Sequence, residues 1–359
     1  MTSAIPSPLP GDEPFRLSEA DQAKNQLASD WMHAGIDLLG ETSVPVLERA
    51  VRCFDQAIAL RRTLPLEENS FLRYGLSAGW INRGDALARI GDGHLDEALR
   101  SYGQALALLE GLPLEENVLY PRRLAITWIN RGTALQRRQA AGDAEAAARG
   151  FRAAISVLDH PAAAALADAA ALRSGAWANL AGALASAGAA DGAEAIDAAA
   201  RALALAAPLE RADAAVAEAA LQARHLVCRL AVQELADRRP LPEERRAAAI
   251  AAATEGIALA RHWRGEGHGQ FEETAREIFR FGCRIQEGGT PQALIGFLEA
   301  SLGGEPAPDA VSLAAARAAL WSCLAHLQAA GFGAVGTPAF ATRLADIQAL
   351  RQAEDRLRQ

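Results

Sequence analysis

Trp80-Ile-Asn-Arg-Gly84 and Trp128-Ile-Asn-Arg-Gly132 are the same five residues, 48 positions apart. A second stretch keeps the interval: Leu64-Pro-Leu-Glu-Glu-Asn69 returns as Leu112–Asn117. Trp31 stands 49 before Trp80, and Trp177 stands 49 after Trp128. Four of the six tryptophans therefore hold one phase of one period, the signature of a repeat architecture. Each tryptophan is followed by a small residue at +4 and a leucine at +7: Gly35 and Leu38, Gly84 and Leu87, Gly132 and Leu135, Ala181 and Leu184. Positions i, i+4 and i+7 share one side of a helix, so each set is a buried stripe, and the small residue lets a neighbouring helix come close. A glycine-containing break follows (Gly40, Gly91–Gly93, Gly142, Gly188–Gly192), as at a helix C-terminus. A second amphipathic stretch comes next, through Ala50, Phe54 and Ala57, then Ala98, Tyr102 and Ala105, then Ala147, Phe151 and Ala154, then Ala195, Ala199 and Ala202. One period is two helices.

This pattern resembles the tetratricopeptide repeat, whose marks are W-x2-L-G-x2-Y, then A-x3-F, then Pro. Trp80-x3-Gly84-x2-Leu87 with Ala98-x3-Tyr102 carries most of them, and Trp31, Trp128 and Trp177 head similar matches. Two departures stand out. The leucine before the glycine is Arg83 and Arg131 here, with Leu180 restoring it in the fourth unit. The period is about 48 against the family's 34; longer helices on both sides of the Leu-Pro-Leu-Glu-Glu corner would absorb the difference. The match is strong from about residue 30 to 205. A fifth unit fits Leu226–Ala236 and Arg246–Ala260, further helical pairs fit Phe271–Ser301 and Asp309–Ala330, and a terminal helix fits Pro338–Arg358. These late units lack the signature, as terminal repeats often do.

Composition agrees with an all-α chain. Of 359 residues, 50% are hydrophobic but only 5% aromatic, and the apolar content is mostly Ala and Leu, strong helix formers. The formal charge of −8 offers no electrostatic footprint for nucleic acid. No run of 18 uninterrupted apolar residues argues for a membrane span, and the polar, proline-bearing start lacks the form of a secretory signal. Cys53, Cys228, Cys283 and Cys323 lie far apart, fitting reduced thiols in a cytoplasm. The Arg- and Ala-rich usage suggests a GC-rich bacterial host.

The resemblance implies that the first helix of each repeat lines a concave face. Two residues after the tryptophan stand Asn82, Asn130 and Asn179, with His33 at that phase in the first unit. Helical asparagine is mildly unfavourable, so three at one phase call for a reason. Some superhelical members of the family carry such a ladder, which grips the backbone of an extended peptide; a carboxamide offers both donor and acceptor. The competing reading has these asparagines bonding adjacent helices. Arg83 and Arg131 admit two readings as well: reception of carboxylates, or pairing with Glu67, Glu68, Glu115 or Glu116 of the repeated corner. Arg89 and Arg137 extend the same strip. The tryptophans themselves read as core residues.

Signals for chemistry are weak. His262, Glu266 and His268 fall within seven positions but read as an inter-repeat linker, not a metal site. Gly331-x-Gly333-x-x-Gly336 has the letters of a dinucleotide fingerprint without the strand and helix that give it meaning. The expectation is thus an all-α right-handed superhelical solenoid: a tail at 1–20, about five repeats at 21–260, and degenerate helical repeats with a capping helix at 261–359. Its expected function is non-enzymatic and cofactor-free: capture of an extended, acidic peptide by Asn82, Asn130, Asn179, His33, Arg83, Arg89, Arg131 and Arg137, with no metal, nucleic acid or membrane involved. The alternative is a regulatory subunit that binds a folded effector, or itself, through a broad surface. The oligomeric state is left open.

Overall fold

A computed structural model of the chain describes residues 16–188, 192–287, 289–303, 309–330 and 337–358. Most of the expected tail and the Gly331–Gly336 run lie outside these. The described residues form helices and turns, with no strand among them. Residues 1–169 and 170–359 make two compact units.

The first unit holds three helical hairpins: α1 (Glu19–Leu39) with α2 (Val44–Arg61), α3 (Ser70–Ile90) with α4 (Leu95–Leu109), and α5 (Leu119–Arg138) with α6 (Asp143–Leu158). Each helix packs on the next, and α1, α3 and α5 also touch in sequence. The glycine of each stripe is where the hairpin closes. A Cβ built on Gly84 would lie 2.7 Å from the Tyr102 ring, and one on Gly132 would lie 2.6 Å from Phe151. Gly35 faces Phe54 in the same way. The aromatic ring of the second helix lies flat on bare backbone of the first, which any side chain would prevent. Alanines flank each ring: Ala50, Ala57, Ala98, Ala105, Ala147 and Ala154 are all fully buried.

The recurrent Leu-Pro-Leu-Glu-Glu-Asn corner contributes more than spacing. Leu64 and Leu112 are buried, and one turn of 3-10 helix spans Leu66–Glu68 and again Leu114–Glu116. Asn69 then caps α3, its Oδ1 accepting from the N–H of Phe71 at 2.8 Å and of Leu72 at 3.2 Å. Asn117 accepts from Leu119 at 2.9 Å. Such a cap satisfies N–H groups the helix leaves open.

The second unit holds α7 (Ala169–Ser186, but for its first residue) and α8 (Ala193–Ala206), α9 (Ala214–Ala236) and α10 (Glu243–Gly265), α11 (Glu272–Gln286) and α12 (Pro291–Leu302), and α13 (Ala310–Ala329) and α14 (Pro338–Arg358). Contacts α9 to α11 to α13 on one side and α10 to α12 to α14 on the other give two layers. Two sequence expectations change here. Asp309–Ala330 is one helix and pairs with α14. One late hairpin, α11 with α12, also keeps the seat: Gly282 stands against the Phe297 ring as Gly84 does against Tyr102. The signature was hidden because Ile278 and Ile285, both fully buried, stand where Trp and Leu stand earlier. Among the described residues, α13 alone is long and apolar enough to cross a membrane, although it buries Leu320, Cys323 and Leu324 within this unit.

The tryptophans are less buried than their stripe suggested. Trp31 is exposed, Trp80, Trp128 and Trp177 are half-buried, and Trp263, outside the repeat phase, is the buried one. Each repeat tryptophan is the outer edge of the stripe whose small residue, Gly35, Gly84, Gly132 or Ala181, is the centre.

Candidate functional site

Helix α3 organises the first unit's surface. Phe71, Gly75, Ala78, Asn82, Asp85 and Arg89 follow at intervals of three or four and therefore share one side of it. The N-terminal part of this stripe borders a cleft of about 300 Å³ against α1, and the C-terminal part borders one of about 370 Å³ against α5. Asn82 lies between them along the helix.

The C-terminal cleft is lined by Leu39, Asp85, Ala88, Arg89, Tyr102, Asn130, Thr133, Ala134 and Arg137, and its polar groups are engaged with one another. Asp85 Oδ1 accepts from the Tyr102 hydroxyl at 2.6 Å and from Asn130 Nδ2 at 3.0 Å. Burial raises the Asp85 carboxyl above the usual carboxylate range, opposed by these two hydrogen bonds and by the charge of Arg89. Burial, with Asp85 beside it, raises the Tyr102 phenol. Arg89 donates to the carbonyls of Leu39 and, at 2.9 Å, Glu41, closing the exposed end of α1. Arg137 does the same one repeat on, reaching the Ala88 carbonyl at 2.9 Å and Asp92 at 2.7 Å. Arginine at the C-terminus of a neighbouring helix satisfies carbonyls that have no N–H of their own.

The N-terminal cleft is different in kind. Asn25, Ser29, Met32, His33 and Ile36 of α1 face Phe71, Leu72, Tyr74, Gly75 and Ala78 of α3, with Arg61 from α2 and Arg123 from α5. Arg61 donates to the Gly75 carbonyl at 2.5 Å and to Ser29 Oγ at 3.1 Å. Arg123 donates to the adjacent Tyr74 carbonyl at 2.6 Å and lies over the Tyr74 ring at 3.4 Å. Tyr74 packs in turn on Tyr120 and Phe71, at 5.2 and 6.2 Å between ring centres. Burial pushes the Arg123 guanidinium down to about 10, with Tyr74 opposing and Arg61 reinforcing the shift; burial lowers Arg61 too.

The residues singled out in the sequence fall into distinct places. Asn82 is half-buried, and its carboxamide holds no hydrogen bond among the described residues. The reason is in the preceding repeat: Asn130 finds Asp85 there, whereas the matching position before Asn82 is Ile36. Asn179 lies in the second unit and is already engaged. His33 is exposed on the rim of the N-terminal cleft. Arg83 is an internal clip, to Asp55 at 2.7 Å, Ser101 at 2.9 Å and Glu97 at 3.5 Å. Its partners are on α2 and α4, so the expected pairing with the corner glutamates is corrected: the corner lies at the far end of α3 from Arg83. Arg131 makes no ion pair among the described residues, although Asp143 and Glu110 act on it from farther off, and it lies 5.8 Å from the Trp128 ring centre. The positions matching Asp55 and Ser101 are Gly103 and Gly150 in its repeat, so the clip is absent there.

No family model matches this chain, and no curated protein matches it. Solved structures do. One is a "circular tandem repeat protein with novel repeat topology and enhanced subunit contact surfaces", 12% identical, covering 94% of this chain and 84% of its own, with a TM-score of 0.25. That score is too low to carry an argument about shape or function.

The sequence reading missed Asp85, Arg61 and Arg123. In the second unit a cleft of about 110 Å³ is lined by Arg261, Arg264, Glu272, Arg276 and Asp309 among others. Its ions are paired internally: Arg264 to Glu272 at 2.7 Å and Arg276 to Asp309 at 2.9 Å. Among the described residues no three His, Cys, Asp or Glu side chains converge as metal ligands; His262 meets the Arg211 carbonyl at 3.0 Å.

Proposed function

We propose that this chain is a tetratricopeptide-like, non-enzymatic interaction module, acting in the cytoplasm, whose first unit captures an extended peptide segment along α1, α3 and α5. The observation that carries this reading is Asn82. An asparagine in mid-helix, half-buried, with its carboxamide unspent, lies on the same stripe as two clefts. A carboxamide so placed can give and take one hydrogen bond with a passing peptide backbone without reading its side chains. The ladder is shorter than its sequence period: Asn130 is already held by Asp85. Arg83, Arg89 and Arg137 hold the hairpins together, so preference for acidic side chains passes to Arg61, Arg123 and the rim His33.

The test is selection from a displayed random peptide library on the intact protein, followed by affinity measurement on Asn82→Ala. Loss of about tenfold, the worth of one lost pair of hydrogen bonds, supports the reading. Unchanged affinity refutes it.

A second reading, a folded partner docked on the opposite side of the first hairpin, is favoured by Trp31. It is 38% exposed beside an open cleft of about 760 Å³ lined also by Arg49, Arg52 and Asp55. In that case Trp31→Ala, and not Asn82→Ala, abolishes partner binding.

A further inference from the structure

Arg61 and Arg123 bring two positive charges to adjacent carbonyls of α3, those of Gly75 and Tyr74. Neither guanidinium has a carboxylate partner among the described residues, and no acidic side chain lines the cleft. The chain is not short of acids, with 44 acidic residues to 36 basic ones. Arg83, half-buried, finds Asp55, and the buried Arg224 finds Glu210 at 2.7 Å, so the fold can supply an acid where it needs one. Peptide carbonyls are neutral and already serve the helix, so they solvate the two cations without cancelling their charge. Arg61 Nε is buried and donates to nothing. Withdrawing cations from water without a counter-charge is costly, and an anion in the cleft would remove that cost.

The rest of the lining says what kind of anion. Met32, Leu72 and Tyr74 are buried or nearly so, and Phe71 is 61% exposed at the mouth. Tyr74 is fixed between Tyr120 and the Arg123 guanidinium, which holds the charge in place. A volume of about 300 Å³ fits a small ligand or one side chain, at the lower end for a small-molecule site. Guanidinium groups match a carboxylate's two oxygens, and an aromatic body gains by packing on Phe71 and Met32.

We propose that this cleft binds an organic carboxylate with an apolar or aromatic body, Arg61 and Arg123 receiving the carboxylate and Met32, Phe71 and Tyr74 the body. Such a group reaches the cleft either as a free acid or as the end of a peptide chain. The site shares Arg61 and Arg123 with the peptide groove proposed above but does not use Asn82, so Asn82→Ala tells the two readings apart.

The test is calorimetric titration of the full chain with phenylacetate, using acetate and inorganic phosphate as probes of charge alone. A second arm uses the tetrapeptide Gly-Gly-Gly-Phe, with a free or amidated C-terminus. Phenylacetate or the free-acid peptide is expected to bind, and to bind about tenfold or more tightly than acetate or phosphate. The variant Arg61→Met/Arg123→Met, with its helix content checked by circular dichroism, is expected to lose that preference. Phe71→Ala, at an exposed position that does not endanger the fold, is expected to weaken the aromatic acid and leave phosphate unchanged. Asn82→Ala is expected to leave phenylacetate binding unaltered. Binding of phenylacetate alone assigns a free acid as the source, and binding of the free-acid peptide alone assigns a chain end. Failure of both ligands, equal binding by the arginine variant, or tighter binding of phosphate than of either would overturn the proposal.

Discussion

Two clefts lie along one helix, and they treat charge in opposite ways. At the C-terminal end of α3, Asp85 stands among Tyr102, Asn130 and Arg89, and Arg89 and Arg137 tie neighbouring helix ends. At the N-terminal end, Arg61 and Arg123 rest on backbone carbonyls and aromatic faces with no acid among the lining residues. The first arrangement is satisfied from within and reads as structure. The second is hydrogen-bonded but not neutralised, and that difference marks a receptor. A polar group's value as evidence of function thus depends less on its type than on whether the fold has already supplied its counterpart.

The comparison can be broken most forcefully at Tyr102, which serves both the hairpin seat and the Asp85 network. Tyr102→Ala is expected to cost about 3–5 kcal/mol, measured by urea unfolding; a cost below 1 would mean the ring on Gly84 is not a packing centre. Gly84→Ala forces a methyl against that ring and is expected to cost about 1–3 kcal/mol. Gly282→Ala should behave alike in the second unit, since Phe297 stands there as Tyr102 does here.

Asp85 sharpens the contrast through pH. Its pKa is raised in the folded chain, chiefly by burial, so the folded state binds the proton more readily than the unfolded state. Its ionisation therefore lowers stability as pH rises from the ordinary carboxylate value through the raised one. Asp85→Asn keeps an acceptor for Tyr102 and Asn130, and should remove this loss, gaining relative to wild type as pH rises across that window. Asp85→Ala leaves the Tyr102 hydroxyl without its partner and is expected to cost about 1–3 kcal/mol. Denaturation at several pH values checks both, and parallel pH profiles for wild type and Asp85→Asn would contradict the assignment.

Smaller effects follow. Asn69→Ala removes a cap that accepts from two N–H groups and is expected to cost about 1 kcal/mol, with Asn117→Ala costing less because one bond is lost. Smallest is the double substitution Arg61→Met/Arg123→Met. Replacing unneutralised half-buried cations by apolar side chains of similar size is expected to leave stability within about 1 kcal/mol or raise it. A large destabilisation would place these arginines with the structural ones and erase the distinction between the clefts.

Much of this was legible in the sequence, for a physical reason. A hairpin that must seat an aromatic ring on bare backbone needs glycine at one fixed position and an aromatic about 18 residues on, so Gly35, Gly84 and Gly132 announced themselves with Phe54, Tyr102 and Phe151. Gly282 and Phe297 make the same seat at an interval of 15, and without the tryptophan or the usual interval they carried no visible flag. The candidate binding residues were read from recurrence, and recurrence selects what every repeat needs. Arg89 and Arg137 recur because each closes the first helix of the preceding repeat. Arg61 and Arg123 do not recur: Leu109 and Gly75 occupy the matching positions. Asn82 is available because Ile36 stands where Asp85 would serve its successor. The features that single out one site are departures from the period, visible in the sequence only once the packing shows which positions are equivalent.

The measurement closest to the central claim is amide hydrogen exchange of the intact protein with and without a peptide selected on it. Capture along the first unit predicts added protection on α1, α3 and α5, centred on 71–89, with the second unit unchanged. Protection confined to the Trp31 side of α1 and α2, or to residues 170–359, would contradict it.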